Sequence, residues 1–198
     1  MLSIIVGLTG QTGAGKSTVS HMAEEWGCAV IEADAVAREA LAPGSRVLQS
    51  LADAFGQDII RQDGSCDRKL LAARAFSGKE NTALLNRITH PWIIQRIREY
   101  IDIYRRKNQR LILLDAPQLF ESGADTLCRK IIAVTAPENV RKQRIMSRDH
   151  LSEQEADLRM QAQYPEKFFR SHADFLIDGS DRPENVRKSL YHILDELC

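Results

Sequence analysis

The chain has no net charge to speak of. Its 27 Lys and Arg residues balance 27 Asp and Glu residues, so no global field draws it to nucleic acid or to an anionic membrane, and any basic patch has to be local. It has no apolar run approaching the length of a bilayer span. Met1-Leu2-Ser3 leads straight into an apolar stretch with no basic n-region or cleavage site, so no targeting segment is expected. Its four cysteines, Cys28, Cys66, Cys128 and Cys198, form no C-x-x-C pair, and no histidine lies at zinc-finger spacing. That argues against a disulfide framework or a structural zinc site and for four reduced thiols. There is no N-K-x-D, the guanine-reading signature of a GTPase, and no internal repeat, low-complexity tract or linker. The expectation is a soluble cytoplasmic protein of ordinary composition, whose 198 residues suffice for one domain with its own core.

What is present is concentrated near the N-terminus. Gly10-Gln11-Thr12-Gly13-Ala14-Gly15-Lys16-Ser17 matches G-x-x-x-x-G-K-[ST], the phosphate-binding P-loop. The apolar run 3–8 before it reads as a buried strand, and Val19, Met22, Ala23 and Trp26 after it recur at helical spacing up to Gly27. In that context Gly13, Ala14, Gly15, Lys16, Ser17 and Thr18 are the candidate contacts to a nucleotide triphosphate, which the resemblance below implies is ATP. Loop amides form an anion nest backed by the helix N-terminus. Lys16 supplies charge for the β- and γ-phosphates, and the Ser17 hydroxyl is a ligand for Mg²⁺.

Further short apolar runs are expected to complete a parallel sheet. They are 28–31, 111–114, 131–134 and 173–177, mostly separated by helical patterns. The fold class is therefore α/β, a five-stranded parallel sheet flanked by helices, of the P-loop NTPase type and nucleotide-kinase-like. The whole of 1–198 reads as a single domain. Its core is expected at about 1–42, 91–136 and 165–198, a helical substrate insertion at about 43–90 and a lid at about 137–164. Within the insertion Ser77-Gly78-Lys79-Glu80 reads as a capping box, and His90-Pro91 punctuates before a longer helix from Trp92 to about Arg106.

Acidic groups follow two strands. Glu32 and Asp34 point the same way if the chain stays extended; if a helix starts at Asp34, that residue is its N-cap. Arg38 lies one turn further on Asp34's face. Asp115 ends the run 111–114, in a position resembling Walker B, near Mg²⁺ or its waters. Thr135-Ala136-Pro137-Glu138 reads as a helix start with a capping threonine, and Asp181-Arg182-Pro183-Glu184 caps the last helix. Arg141, Arg144 and Arg148 share one helix face. Either they pair with Glu138, Asp149 and Glu153 in solvent, or they close over the triphosphate as a lid.

Taken together, these motifs resemble the dephospho-CoA kinase family along nearly the whole chain. The resemblance rests on Val6 to Thr18, Ala33-Asp34-x-x-Ala37-Arg38, Phe55-Gly56, Asp63-Gly64-x-x-Asp67-Arg68 and Leu85-Asn86-x-Ile88-x-His90-Pro91. Pro117-x-Leu119-Phe120-Glu121, Arg144-x-x-x-Arg148, Gln163 and Ala173-Asp174 complete it, in the family's order. It implies Mg²⁺-dependent transfer of phosphate from ATP to the ribose 3′-hydroxyl of dephospho-CoA, the last step of coenzyme A synthesis. It implies Lys16, Asp34 and Arg144 as catalytic, with Asp34 the general base, and Arg144 and Arg148 as ATP contacts on the lid. Asp34, Arg38, His90, Pro117, Leu119 and Phe120 are implied on the acceptor side. The partners are then the two small molecules, with no nucleic acid and no membrane, in a monomer or small homo-oligomer. Glu32 stands where the family usually has Asp, Cys66 and Gln118 where it has leucines, and Arg141 where it often has Gln. The turn Asp178-Gly179-Ser180 stands where it often has Asn. The readings from other classes are another small P-loop kinase, for a nucleoside monophosphate or a small metabolite, and a nucleotide-dependent switch.

Overall fold

The structure is a computed structural model describing residues 3–198, so Met1 and Leu2 of the expected leader-free start lie outside the described residues. The chain divides into two compact units, one of Met1–Ile31 with Ile103–Cys198 and one of Glu32–Asp102. The expected insertion, 43–90, lies inside the second.

The first unit is built on a five-stranded sheet in the order β2-β3-β1-β4-β5. The strands are β1 (Ile4–Gly10), β2 (Ala29–Glu32), β3 (Leu111–Asp115), β4 (Lys130–Thr135) and β5 (Phe175–Asp178). β1 pairs in parallel with β3 and β4, and β4 with β5. This is the expected parallel sheet. The central strands are buried almost throughout, which is why their sequences are apolar runs rather than alternating patterns. One core cluster runs from Val6, Leu8, Leu113 and Val134 to Val19 of α1 (Lys16–Trp26) and Leu190 of the C-terminal helix (Pro183–Glu196). Thr9 and Gly10 extend β1 beyond its apolar run because they pair with Ala133 and Val134.

The second unit is helical: α2 (Ala33–Glu39), α3 (Arg46–Phe55), α4 (Arg68–Ala75) and the first six turns of α5 (Lys79–Arg106). Its own core joins Leu48, Leu51, Ile59 and Leu71. Ser45 caps α3 and Asp67 caps α4 through side-chain acceptors, each satisfying an otherwise orphaned amide.

Several local expectations are corrected. The longer helix does not begin at Trp92; α5 is one helix of 28 residues with Pro91 inside it. Pro91 removes the bond to the Arg87 carbonyl, but Arg87 and Pro91 are both exposed, so water can take that carbonyl. Ser77 does not close a capping box: its hydroxyl donates to the Arg74 carbonyl and accepts from the Asn81 amide. The α2 helix begins at Ala33 with Glu32 as N-cap and no side-chain cap bond. Asp34 is thus neither extended nor the cap but lies in the first turn, where a carboxylate suits the helix dipole. Thr135 is the buried last residue of β4. The following helix, α6 (Glu138–Asp149), has Pro137 as N-cap without a side-chain bond. The last helix likewise starts from Arg182; Asp181 instead accepts from the Arg182 amide and the Asn185 side chain. The capping box Ser152–Glu155 is present at α7 (Glu153–Gln161). A further helix, α8 (Glu166–His172), has no counterpart in the sequence reading; with it the C-terminal helix becomes α9.

Candidate active site

In the first unit β1 delivers the glycine loop and α1 receives it, with Gly15 in a left-handed conformation as the helix N-cap. Gln11 N donates to the Val134 carbonyl and Ala14 N to the Gln11 carbonyl, closing the turn. Among the described residues, the amides of Gly13, Gly15, Lys16 and Ser17 have no protein acceptor. These free donors, at the start of a helix, make a nest for an anion.

Lys16 is held by an ion pair with Asp115, and both side chains are largely buried. The parallel register sets Asp115 opposite Leu8 of β1, which is how β3 carries a carboxylate to the P-loop. Ser17 and Thr18 are exposed at the first turn of α1. The Ser17 hydroxyl and the Asp115 carboxylate are hard oxygen donors. No cluster of three or more His, Cys, Asp or Glu suited to a metal occurs among the described residues. That donor set fits Mg²⁺, which keeps several waters and takes its other ligands from substrate phosphates.

The arginine stripe of α6 divides into three different environments. Arg141 is buried, donates Nε to the Ala136 carbonyl at 3.1 Å and has its pKa pushed down by burial, with Glu138 and Glu166 opposing. Arg144 places Nη1 at 3.2 Å from the Gly13 carbonyl and 3.3 Å from that of Ala14, and Nη2 at 3.0 Å from that of Gly179. Arg148 pairs with Asp149, which also takes Arg159. Glu153 pairs not with an arginine but with Lys142. Pro117, Leu119 and Phe120 follow β3. Leu119 is fully buried and lies against Gly7, where an added Cβ would meet its Cδ2 at 2.8 Å. Phe120 packs edge-on against Phe168 and His172 of α8, with ring centroids 5.2 and 5.8 Å away.

In the second unit Asp34 and Arg38 are one turn apart on α2. Both are exposed, and neither side chain makes a hydrogen bond or ion pair among the described residues. The next residue, Glu39, accepts from the Tyr100 hydroxyl at 2.6 Å and from Arg96 Nε at 2.9 Å. These donors hold its carboxyl below the usual range and fasten the end of α2 to α5. A cleft of about 390 Å³ lies there, lined by Glu39, Ala42, Trp92, Gln95, Arg96 and Glu99. His90 is half-buried, and burial pushes its pKa down, favouring the neutral imidazole.

Three residues to which the sequence assigned no role of their own lie at the glycine loop. Gln163, which the sequence offered only as part of the family resemblance, accepts from the Thr12 amide through Oε1 at 2.6 Å, across 151 positions. Gly179 touches the loop so closely that a Cβ there would lie 1.9 Å from the Ala14 carbonyl oxygen. Gln11 is buried with Oε1 unpartnered. Such long-range contacts exist only once the sheet has formed.

Comparison with known families decides among the kinase readings. The family described as Dephospho-CoA kinase matches residues 4–184. The chain belongs to the dephospho-CoA kinase family. A dephospho-CoA kinase of Corynebacterium diphtheriae is 42% identical over 176 residues, covering 89% of this chain and 88% of the relative. Among solved structures, the Thermus thermophilus protein TT1252 superposes with a TM-score of 0.84 at 31% identity, covering all of both chains. Dephospho-CoA kinase from Campylobacter jejuni does so with a TM-score of 0.66 at 26% identity, covering 98% of this chain and 97% of that one. Membership in the dephospho-CoA kinase family makes this a P-loop kinase with a nucleotide substrate. No helix of the described residues is long and apolar enough to cross a membrane.

Proposed function

We propose that the chain transfers the γ-phosphoryl group of ATP to the ribose 3′-hydroxyl of dephospho-CoA, giving CoA and ADP. The observation that carries this is the extent of the family match. Residues 4–184 take in both the phosphate loop and the α2 pair Asp34 and Arg38.

The chemistry follows from the groups available. The free amides of Gly13 to Ser17 cradle the phosphates, and Lys16 moves from Asp115 toward the β- and γ-phosphates. Ser17, with Asp115 directly or through a water, holds Mg²⁺. When bound, the ion would supply positive charge against the charge that builds on the phosphates. Arg148 adds a cation from the arm. On the acceptor side Arg38 engages the acceptor's anionic groups, and His90, Pro117 and Phe120 help to shape its surroundings. Leu119 serves by packing that loop. Asp34 orients the 3′-hydroxyl and takes its proton as the new O–P bond forms and the bond from the γ-phosphorus to the bridging oxygen of ADP breaks. A sugar hydroxyl is a poor acid, so positioning and charge neutralisation supply most of the rate. Free thiols throughout suit the same reading in the reducing cytoplasm.

The test is ADP production with a panel of acceptors. Turnover with dephospho-CoA that exceeds every nucleoside monophosphate and small metabolite supports the proposal. Better turnover of another acceptor favours a different small kinase. Slow hydrolysis indifferent to acceptor favours a switch.

A further inference from the structure

Arg144 was expected as a lid cation closing over the triphosphate; in the structure its guanidinium meets backbone carbonyls, those of Gly13 and Ala14 in the loop and that of Gly179. We infer that Arg144 is a positioning residue. It grips the carbonyl face of the loop and, together with Gln163, holds the nest in its phosphate-binding conformation. This inference rests on the ATP-binding reading above.

The geometry is specific. Arg144 spans three backbone carbonyls, those of Gly13, Ala14 and Gly179, at 3.0 to 3.3 Å. In a trans peptide the carbonyl and the next residue's N–H point in opposite directions. Fixing the Ala14 carbonyl toward Arg144 therefore turns the Gly15 N–H away from it. That amide is one of those without a protein acceptor. A cation on a carbonyl also polarises its peptide, strengthening the N–H at the other end as a donor to anions. Arg144 thus acts on the phosphates through the backbone.

The same arm reaches the loop twice more. Gln163 Oε1 accepts from Thr12 N at 2.6 Å. The α6 backbone comes so near that a Cβ on Gly13 would lie 2.7 Å from the Arg141 carbonyl oxygen. Gly179 is itself tied to β4, donating its N–H to the Thr135 carbonyl at 2.9 Å. Arg144 therefore staples the loop to the turn after β5, and the Gly13 and Ala14 peptides cannot rotate without breaking two charged contacts.

Three roles for Arg144 predict different binding patterns, and inorganic tripolyphosphate separates them because it has no adenine. The experiment is calorimetric titration of the full chain with ATP and with tripolyphosphate, each with Mg²⁺ and without acceptor, alongside kcat. If Arg144 positions the nest, Arg144→Ala weakens both ligands by about ten- to a hundredfold, as expected for loss of charged hydrogen bonds, and leaves the ratio of the two affinities unchanged. Gln163→Ala weakens both by a smaller common factor. Arg144→Lys, which keeps a donor cation, recovers part of the loss for both ligands. Weakened ATP binding with intact tripolyphosphate binding would overturn the inference in favour of a contact to the base. Unchanged affinities with a kcat at least tenfold lower would overturn it in favour of a transition-state cation. Should Arg144→Ala fail to fold, the Lys and Gln163→Ala variants decide by the same affinity ratio. Wild-type protein that binds neither ligand would defeat the ATP reading as well, whereas wild-type binding with unaffected variants defeats this inference alone.

Discussion

The donor side and the acceptor side of this kinase differ in how their charged groups are held. On the donor side every charged group named for ATP already has a protein partner: Lys16 has Asp115, Arg144 has three carbonyls and Arg148 has Asp149. On the acceptor side Asp34 and Arg38 project from α2 with no partner, while their neighbour Glu39 is fixed by Tyr100 and Arg96. The donor site is preorganised by contacts that also stabilise the fold. The side chains of the proposed acceptor pair are unengaged, as the proposed role in binding the acceptor requires. Substitutions on the two sides should therefore fail in different ways.

The largest effect is expected on the acceptor side. Asp34→Asn keeps the shape and loses the base, so kcat should fall by roughly two to four decades. The unfolding midpoint should fall by no more than about 2 °C, because the only interaction the amide would lose is that of one exposed charge with the α2 dipole, worth about 0.5 kcal/mol. A larger drop in that variant would break the contrast, and near-wild-type turnover would remove Asp34 from catalysis. On the donor side Gly179→Ala should weaken ATP binding by about tenfold or more and also lower the midpoint. Its Cβ would fall 1.9 Å from the Ala14 oxygen, so the loop and the turn must separate at a cost of a few kcal/mol, on the order of a core overpacking. Titration with ATP and a thermal melt read the two effects together; an unchanged melt would show that the loop is not held by its surroundings.

Smaller effects sharpen the contrast. Ser152→Ala removes one half of the α7 capping box and should cost about 1 kcal/mol, seen as a midpoint lower by about 2–4 °C in a chain of this size. Turnover should be nearly unaffected, since the bond lost is local to the arm. The smallest effect is a pH dependence in the second unit. The Tyr100 and Arg96 donors lower the Glu39 pKa in the fold. Its contribution is therefore present above the unfolded-state pKa and is lost as pH falls through the folded one. The midpoint difference between wild type and Glu39→Gln should be greatest near pH 7 and shrink toward pH 3. A difference constant over that range would show that the ionised carboxylate is not what holds α2.

How far the sequence disclosed these halves depended on the range of the forces involved. β3 was legible to its last residue because an apolar run ending in Asp is a local pattern. The glycine loop was legible because three glycines, Lys16 and Ser17 must be adjacent to do their work. Helix α8 was missed because its seven residues hold Phe168 and Phe169 side by side rather than at helical spacing. Pro91 was misread as a boundary, since proline usually ends a helix; here the orphaned carbonyl is on an exposed face. The arginine spacing correctly placed Arg141, Arg144 and Arg148 on one helix. It could not say which would be buried, which would meet carbonyls and which would pair with Asp149. That depends on what packs against α6, and those groups come from Gly13, Ala14 and Gly179 at distant points of the chain.

The strand order carries a consequence for how the protein is made. β1 leaves the ribosome first, yet both of its neighbours in the sheet, β3 and β4, lie more than a hundred positions later. At about 5–20 residues per second this strand waits on the order of ten seconds for a partner. During that wait the helices of the second unit, with their own core, can already form. The expected order of synthesis is therefore one in which the inserted segment can fold while the first strand is still exposed. Ribosome-associated chaperones would be expected to engage it then, and crowding of polysomes would be expected to favour aggregation through β1.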